Sequence, residues 1–261
     1  MPEGDTIHRS AARLRQVLVG AVVRDFRASR IEGERPHAGS TIEAVEAVGK
    51  HLLIQFDDGL TLQTHMRMSG SWHLYRPGER WQRPVHTARV VIAIDGWVAV
   101  CFSAPVVRSY RSAASRTPID HLGVDLCRAG ADVDIALQRI ARFASPDSEI
   151  GPVLLDQRIA CGIGNVYKSE TLFACRVNPF TRLSELDEAT RRSLFTTGAR
   201  LLQANLGHGP RTTVATGGVA VYGRGRQPCL RCGTPIEQRA QGQPPRVTYW
   251  CPRCQPAMVR C

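Results

Sequence analysis

Cys229-Leu230-Arg231-Cys232 and Cys251-Pro252-Arg253-Cys254 stand either side of eighteen residues, Gly233 to Trp250. Two close pairs joined by a loop of that length let four thiolates converge tetrahedrally on one Zn²⁺. Cys229, Cys232, Cys251 and Cys254 are therefore expected to hold one structural zinc. Four sulfur ligands leave no open position, so the metal itself does no chemistry. Val247, Tyr249 and Trp250, just before the second pair, predict a β-hairpin pinned at its base by the metal. The chain has nine cysteines, an odd number in a long sequence, which argues against a disulfide framework. Cys101, Cys127, Cys161 and Cys175 read as reduced core or half-buried thiols, and Cys261 as an exposed chain end.

Upstream of the cysteines the pattern is helical. Apolar spacing predicts helices over 132–143, 150–156, 166–175 and 186–206, the last behind a capping-box pattern of Ser184 and Asp187. The second and third are separated by a short connection containing Gly162-Ile163-Gly164, a compact helix, turn, helix arrangement. From 108 to 131 the periodicity is lost, which sets a domain boundary near Leu126. Before it, from Ala21 to Val107, short β-branched and aromatic runs alternate with turn signals such as Asp57-Asp58-Gly59 and Asp95-Gly96, the text of an antiparallel sandwich or barrel. At the start, Ile7, Ala11, Leu14 and Leu18 fall on one face of an amphipathic helix over 4–18. The expected fold is thus α+β: a helix and β-sandwich over 1–126, then a helical domain over 127–261 that ends in a zinc finger at about 222–256.

Composition narrows the function. Of 261 residues 43% are hydrophobic, enough for a sizeable core. Lys and Arg number 34 against 23 Asp and Glu, a net charge of +11, which favours a polyanion such as nucleic acid whose phosphates release counterions on binding. No run approaches the roughly 18 apolar residues of a membrane span, and MPEGDTIHRS lacks the basic and then apolar regions of a secretory signal. A soluble, cytoplasmic protein with no membrane partner is the expectation.

Met1-Pro2-Glu3-Gly4 carries the chemistry. A small second residue permits removal of Met1, which frees a secondary amine at Pro2. An α-amino group has a reference pKa of about 8, far below that of lysine, so much of it is neutral and nucleophilic at physiological pH. Such an amine attacking C1′ of a nucleotide expels the base and leaves an iminium that acidifies the C2′ hydrogen, and strand scission by elimination follows. Glu3, one residue away, is placed to protonate the sugar ring oxygen or shuttle the amine's proton.

Taken in order, MPEGDTIHR, VGKHLLIQF, HMRMSGS, CGIGNVYKSETLF and VYGRGRQPCLRCG with RVTYWCPRCQ resemble the formamidopyrimidine-DNA glycosylase and endonuclease VIII family along nearly the whole chain. The resemblance implies a helix-two-turn-helix motif in the second domain and a bifunctional glycosylase and abasic-site lyase of base excision repair. The start PEG is similar to the endonuclease VIII branch, which implies oxidised pyrimidines as targets and β- then δ-elimination. By the same resemblance Pro2 is the Schiff-base nucleophile and Glu3 its acid/base partner. Lys50 is the hairpin lysine that contacts phosphate beside the lesion and assists catalysis. Asn165 is the helix-two-turn-helix asparagine on the same stretch of backbone, and Arg246 the zinc-finger arginine that completes the phosphate clamp. Met68 is the wedge that fills the gap left by the extruded base.

Two features depart from the pattern. HMRMSG resembles the formamidopyrimidine branch, so the two ends of the sequence disagree on branch, and an oxidised-purine glycosylase acting on 8-oxoguanine stands as an alternative. Thr6 occupies a place where many members carry glutamate; either Asp5 substitutes for it or that role is absent. From another class, a non-catalytic zinc-finger protein that binds damaged DNA accounts for the charge and the zinc but leaves Pro2, Glu3 and Lys50 unexplained. The expected partner is damaged double-stranded DNA, with single-stranded DNA as a further one, bound by a monomer.

Overall fold

The computed structural model describes residues 2–113 and 115–257; Met1 and Cys261 lie outside the described residues. The chain divides into two compact units, one up to Asp120 and the other from His121. The division falls six residues before Leu126, because Val124–Asp125 already pairs with Ala160–Cys161. Among the described residues no helix is long and apolar enough to cross a membrane.

The first unit opens with α1 (Gly4–Leu18), whose Ile7, Ala11, Leu14 and Leu18 are buried as their spacing requires. Eight strands follow: β1 (Asp25–Ala28), β2 (Ile42–Val48), β3 (His51–Phe56), β4 (Leu60–His65), β5 (Ser71–Tyr75), β6 (Ala88–Ile94), β7 (Trp97–Phe102) and β8 (Val106–Arg111). They form two antiparallel four-stranded sheets, ordered β2-β3-β4-β8 and β1-β6-β7-β5. Side chains alternate across the pleat, so Val45, Leu52, Ile54 and Leu62 from one sheet meet Val90, Ile92 and Cys101 from the other in one core with α1. Both anticipated turns are tight hairpins, and Asp58 Oδ1 accepts from the Leu60 N–H at 2.9 Å across the first.

The second unit contains the short parallel pair β9 (Val124–Asp125) and β10 (Ala160–Cys161) and the helices α2 (Val133–Phe143), α3 (Ile150–Leu155), α4 (Asn165–Ala174) and α5 (Glu188–Gln203). It ends in the hairpin β11 (Glu237–Gln241) and β12 (Arg246–Trp250). The expected capping box does not form as read. Asp187 caps α5 directly, its carboxylate accepting from the Thr190 N–H at 2.7 Å, while Ser184 sits in a separate 3₁₀ turn over Leu183–Glu185. Leu126, Ile140, Ile150, Tyr167, Leu194 and Phe195 pack into the helical core. A smaller cluster of Phe173, Val221 and Ile236 lies under the cysteines.

Candidate functional site

In the first unit the chemistry-bearing residues gather at one end of the sandwich. Helix α1 runs antiparallel to β2: the Gly20 N–H donates to the Ile42 carbonyl at 2.8 Å and Arg15 Nε to that of Val45 at 2.9 Å. Followed back toward its start, the helix carries Pro2 and Glu3 toward the Val48–His51 end of the sheet, where Gly49 and Lys50 make the two-residue turn. Gly49 has φ +55, the left-handed region such a turn demands, and Lys50 beside it is half-buried. Glu3 is the N-cap residue of α1 in extended conformation; it is fully buried, while Pro2 is half-buried. Asp5 is also fully buried. Its Oδ1 accepts from the Thr6 N–H at 2.7 Å, and Arg9 lies 3.6 Å from its Oδ2.

His65, at the end of β4, faces this turn. Its ring stacks edge-on against His51 at 4.7 Å, and Gln63 Nε2 lies 2.6 Å from His51 Nδ1. Burial first, then the Lys50 and Arg67 cations, push the His65 imidazole down to about 4, so it is neutral at physiological pH. Lys50 therefore has an uncharged base for a neighbour rather than a second cation. Past His65 the chain makes one tight turn in which the Gly70 N–H donates to the Met66 carbonyl at 2.9 Å. A Cβ on Gly70 would lie 2.8 Å from Met66 Cα, so only glycine closes it. Met66 is buried and anchors the loop, whereas Met68 at its tip is 59% exposed.

The second unit brings Asn165 and Arg246 together. Gly164 is the N-cap of α4 and Asn165 its first residue. Asn165 is buried, and its Nδ2 donates to the Val247 carbonyl on β12 at 2.7 Å, next to the exposed Arg246. One amide N–H remains for another acceptor. The turn ahead of Asn165 is clamped by Gln157, whose Nε2 donates to the Leu155 and Ile163 carbonyls at 2.7 and 3.0 Å and whose Oε1 accepts from the Gly162 N–H at 3.2 Å.

Helix α4 is buried on every side, polar residues included. Lys168 Nζ donates to Thr248 Oγ1 at 2.6 Å, Thr248 in turn to Gln241 Oε1 at 2.9 Å, and Gln241 Nε2 to Glu149 at 2.8 Å. This chain of bonds ties both strands of the hairpin to α4 and α3. Glu170 accepts from the backbone N–H groups of Ala220, Val221 and Tyr222 at 2.7 to 2.9 Å and from the Thr213 hydroxyl, which shapes the approach to the cysteines. Gln157, Lys168 and Glu170 escape a periodicity reading because each looks like a solvated polar residue in sequence. The one available signal is that two of them belong to the helix that starts at Asn165.

The four cysteine sulfurs lie within 4.8 Å of one another, with Cys232 Sγ 3.5 Å from both Cys251 Sγ and Cys254 Sγ. Zinc–sulfur bonds of about 2.3 Å give a tetrahedron with edges of about 3.8 Å, so the set fits one zinc. The Arg231 and Cys254 N–H groups reach Cys229 Sγ and Cys251 Sγ at 3.4 Å, as outer contacts to thiolates should. No position is left open.

Comparison with known proteins agrees across the chain. Residues 1–105 match the formamidopyrimidine-DNA glycosylase N-terminal domain, residues 122–216 the formamidopyrimidine-DNA glycosylase H2TH domain, and residues 226–257 a zinc finger found in FPG and IleRS. With that match, the four cysteines hold one structural zinc. A probable endonuclease 8 2 of Streptomyces coelicolor is 40% identical, covering 98% of this chain and 94% of its own. The DNA-(apurinic or apyrimidinic site) lyase Nei2 of Mycolicibacterium smegmatis is 32% identical over 98% of this chain and 100% of its own. The fold is that of Lactococcus lactis Fpg (MutM), solved in complex with an oxidised pyrimidine containing DNA: TM-score 0.83 at 20% identity, covering 98% of this chain and 100% of that one.

Proposed function

The chain belongs to the formamidopyrimidine-DNA glycosylase and endonuclease VIII family, and we propose that its Pro2 amine, freed by loss of Met1, excises oxidised pyrimidines from DNA and cuts the strand there. The protein is a DNA glycosylase and abasic-site lyase of base excision repair. Pro2 nitrogen forms a bond to C1′ as the C1′–base bond breaks; the base leaves with that electron pair and a proton. Glu3 protonates the ring oxygen, the C1′–O4′ bond opens, and the nitrogen loses its proton to give the iminium. Removal of a C2′ proton then expels the 3′ phosphate, a second elimination expels the 5′ phosphate, and water hydrolyses the imine to restore the amine. Lys50, Asn165 and Arg246 each contact backbone phosphate beside the lesion, and Met68 enters the stack where the base has left.

The observation that supports this reading is the buried carboxyl of Glu3 next to Pro2, at the sandwich end that also carries Lys50. A catalytic carboxyl out of water beside an amine nucleophile is a costly arrangement for a protein that only binds. Borohydride trapping tests it, on one duplex containing an abasic site and another containing 5-hydroxyuracil. A crosslink on both, lost in Pro2→Gly, is expected; no crosslink from zinc-loaded, Met1-free protein would leave a non-catalytic binder. The exposed Met68 in a Met-Ser-Gly loop favours one second reading, an oxidised-purine glycosylase. Equal or faster cutting at 8-oxoguanine would establish that branch instead. The protein acts as a monomer on damaged duplexes, with single-stranded DNA as a further partner, in the bacterial cytoplasm at the nucleoid.

A further inference from the structure

Where the edge strands β1 and β8 meet, the sandwich has a groove of about 560 Å³ lined by Arg30, Arg35, Arg89 and Arg108 together with Glu32, Pro105 and Val106. Its walls are fixed. Glu32 bridges to Arg108 in parallel register, Gly33 packs so tightly on Ser109 that a Cβ would lie 2.5 Å from its carbonyl oxygen, and Ser103, held at φ +52, donates its N–H to the Thr87 carbonyl at 2.8 Å. Arg24 pairs with Asp95 and Arg111 with Glu34, and neither of these two arginines lines the groove. Among the described residues Arg30, Arg35 and Arg89 have no ion-pair partner. Arg108 has only Glu32, 3.8 Å from an Nε that is buried without a hydrogen bond. Four guanidinium groups against one exposed carboxylate make a site for an anion, and the planar forks of arginine suit phosphate.

The register says which anion. His65 pairs with Val106, His51 with His65, and Ala28 with Val90. The groove therefore opens at the same end of the sandwich as Lys50 and Met68. Across that end the sheet order β2-β3-β4-β8 sets a sequence: Lys50 in the β2–β3 turn, Met68 in the loop leaving β4, then the groove beside β8. At about 4.8 Å per strand, Lys50 and β8 are about 12 Å apart, enough to straddle a minor groove about 6 Å wide and reach phosphates on both sides. Cation, exposed apolar tip, cations is the order a surface shows to one strand of a duplex, the interior of its stack, and the other strand.

We propose that the Arg30–Arg35–Arg89–Arg108 groove binds backbone phosphates of the DNA strand opposite the damaged one. The assignment rests on the reading of Lys50 and Met68 given above. It makes the groove a second, independent grip whose loss affects duplexes more than single strands.

Equilibrium binding tests this with the full-length zinc-loaded protein and oligonucleotides carrying a tetrahydrofuran abasic analogue, single-stranded or in a duplex. That analogue forms no imine, so the readout does not depend on Pro2. For the double variant Arg30→Ser/Arg89→Ser, duplex affinity should fall at least tenfold more than single-strand affinity. The slope of log K against log salt on the duplex should drop by about two, at about 0.9 for each phosphate no longer neutralised. Arg30→Lys/Arg89→Lys should recover the slope. Arg24→Ser, which removes a cation paired with Asp95 at the far end of the sandwich, should leave it unchanged. Equal losses on both substrates, or an unchanged slope in the double variant, would overturn the proposal. A protein that binds the duplex normally yet gives no borohydride crosslink would refute the catalytic reading of Pro2 and leave the result on the groove standing.

Discussion

Two hairpins present the cations Lys50 and Arg246, and they are held by different forces. The β2–β3 hairpin is built into the sandwich: Val45, Leu52 and Ile54 have no exposed area, and its turn inherits the rigidity of the core. The β11–β12 hairpin has nearly all of one strand exposed and only Thr248 and Trp250 buried on the other. Zinc at its base and the Lys168–Thr248–Gln241–Glu149 chain do for it what apolar burial does for the first. The same kind of task, holding one cation still, can thus be met by hydrophobic packing or by metal and hydrogen bonds, and only the second can be withdrawn without unfolding the domain that carries Lys50.

Removing zinc should break the contrast most visibly. Metal binding by such Cys₄ sites supplies roughly 10 kcal/mol or more of folding free energy. A chelator, or Cys232→Ser, should abolish hydrogen-exchange protection over 237–250 and leave β3 and β4 protected; equal loss in both units would show that the two hairpins share one support. Trapping on abasic DNA should fall with the metal, through Arg246.

Acid should act on the other hairpin. The His65 imidazole is depressed to about 4, so between about 4 and 6.5 the unfolded chain binds a proton that the folded chain does not. Stability of the first unit is whole above pH 6.5 and falls as pH drops toward 4, by up to about 3 kcal/mol at roughly 1.4 per unit. Melts of His65→Gln should show a flatter decline than the wild type over that window; parallel curves would contradict the buried neutral ring.

The smallest effect sharpens the comparison. Thr248→Val keeps the shape of β12 but removes the hydroxyl between Lys168 Nζ and Gln241 Oε1, leaving a buried ammonium short of a partner, at a cost of roughly 1–3 kcal/mol. With zinc still bound, duplex affinity should fall several-fold with the hairpin intact by hydrogen exchange. An unchanged affinity would mean that zinc alone positions Arg246.

Much of this was readable in the chain. The α1 stripe, the strand alternation and the Cys-x-x-Cys spacing each report a local rule, and all three elements stand where the rules put them. The capping box at Ser184 misled because two caps compete within four residues, and Asp187, one residue before the helix, makes the shorter path to an orphan N–H. Asn165 is of a residue type favoured at N-caps, yet Gly164 takes that place and the Asn165 amide reaches Val247 instead.

By itself the sequence determined the order of the elements and the four zinc ligands, and it singled out Pro2 and Glu3 as candidates, since periodicity, ligand spacing and chain position are properties of neighbours along the chain. Only the tertiary structure decided that Lys168 and Glu170 are buried, that His65 is neutral near Lys50, that Met68 is exposed, and that four arginines from three separate stretches of the chain line one groove. Those facts depend on which surfaces meet and how much water is left between them. Strand register and desolvation set both, and neither is written in the spacing of residues.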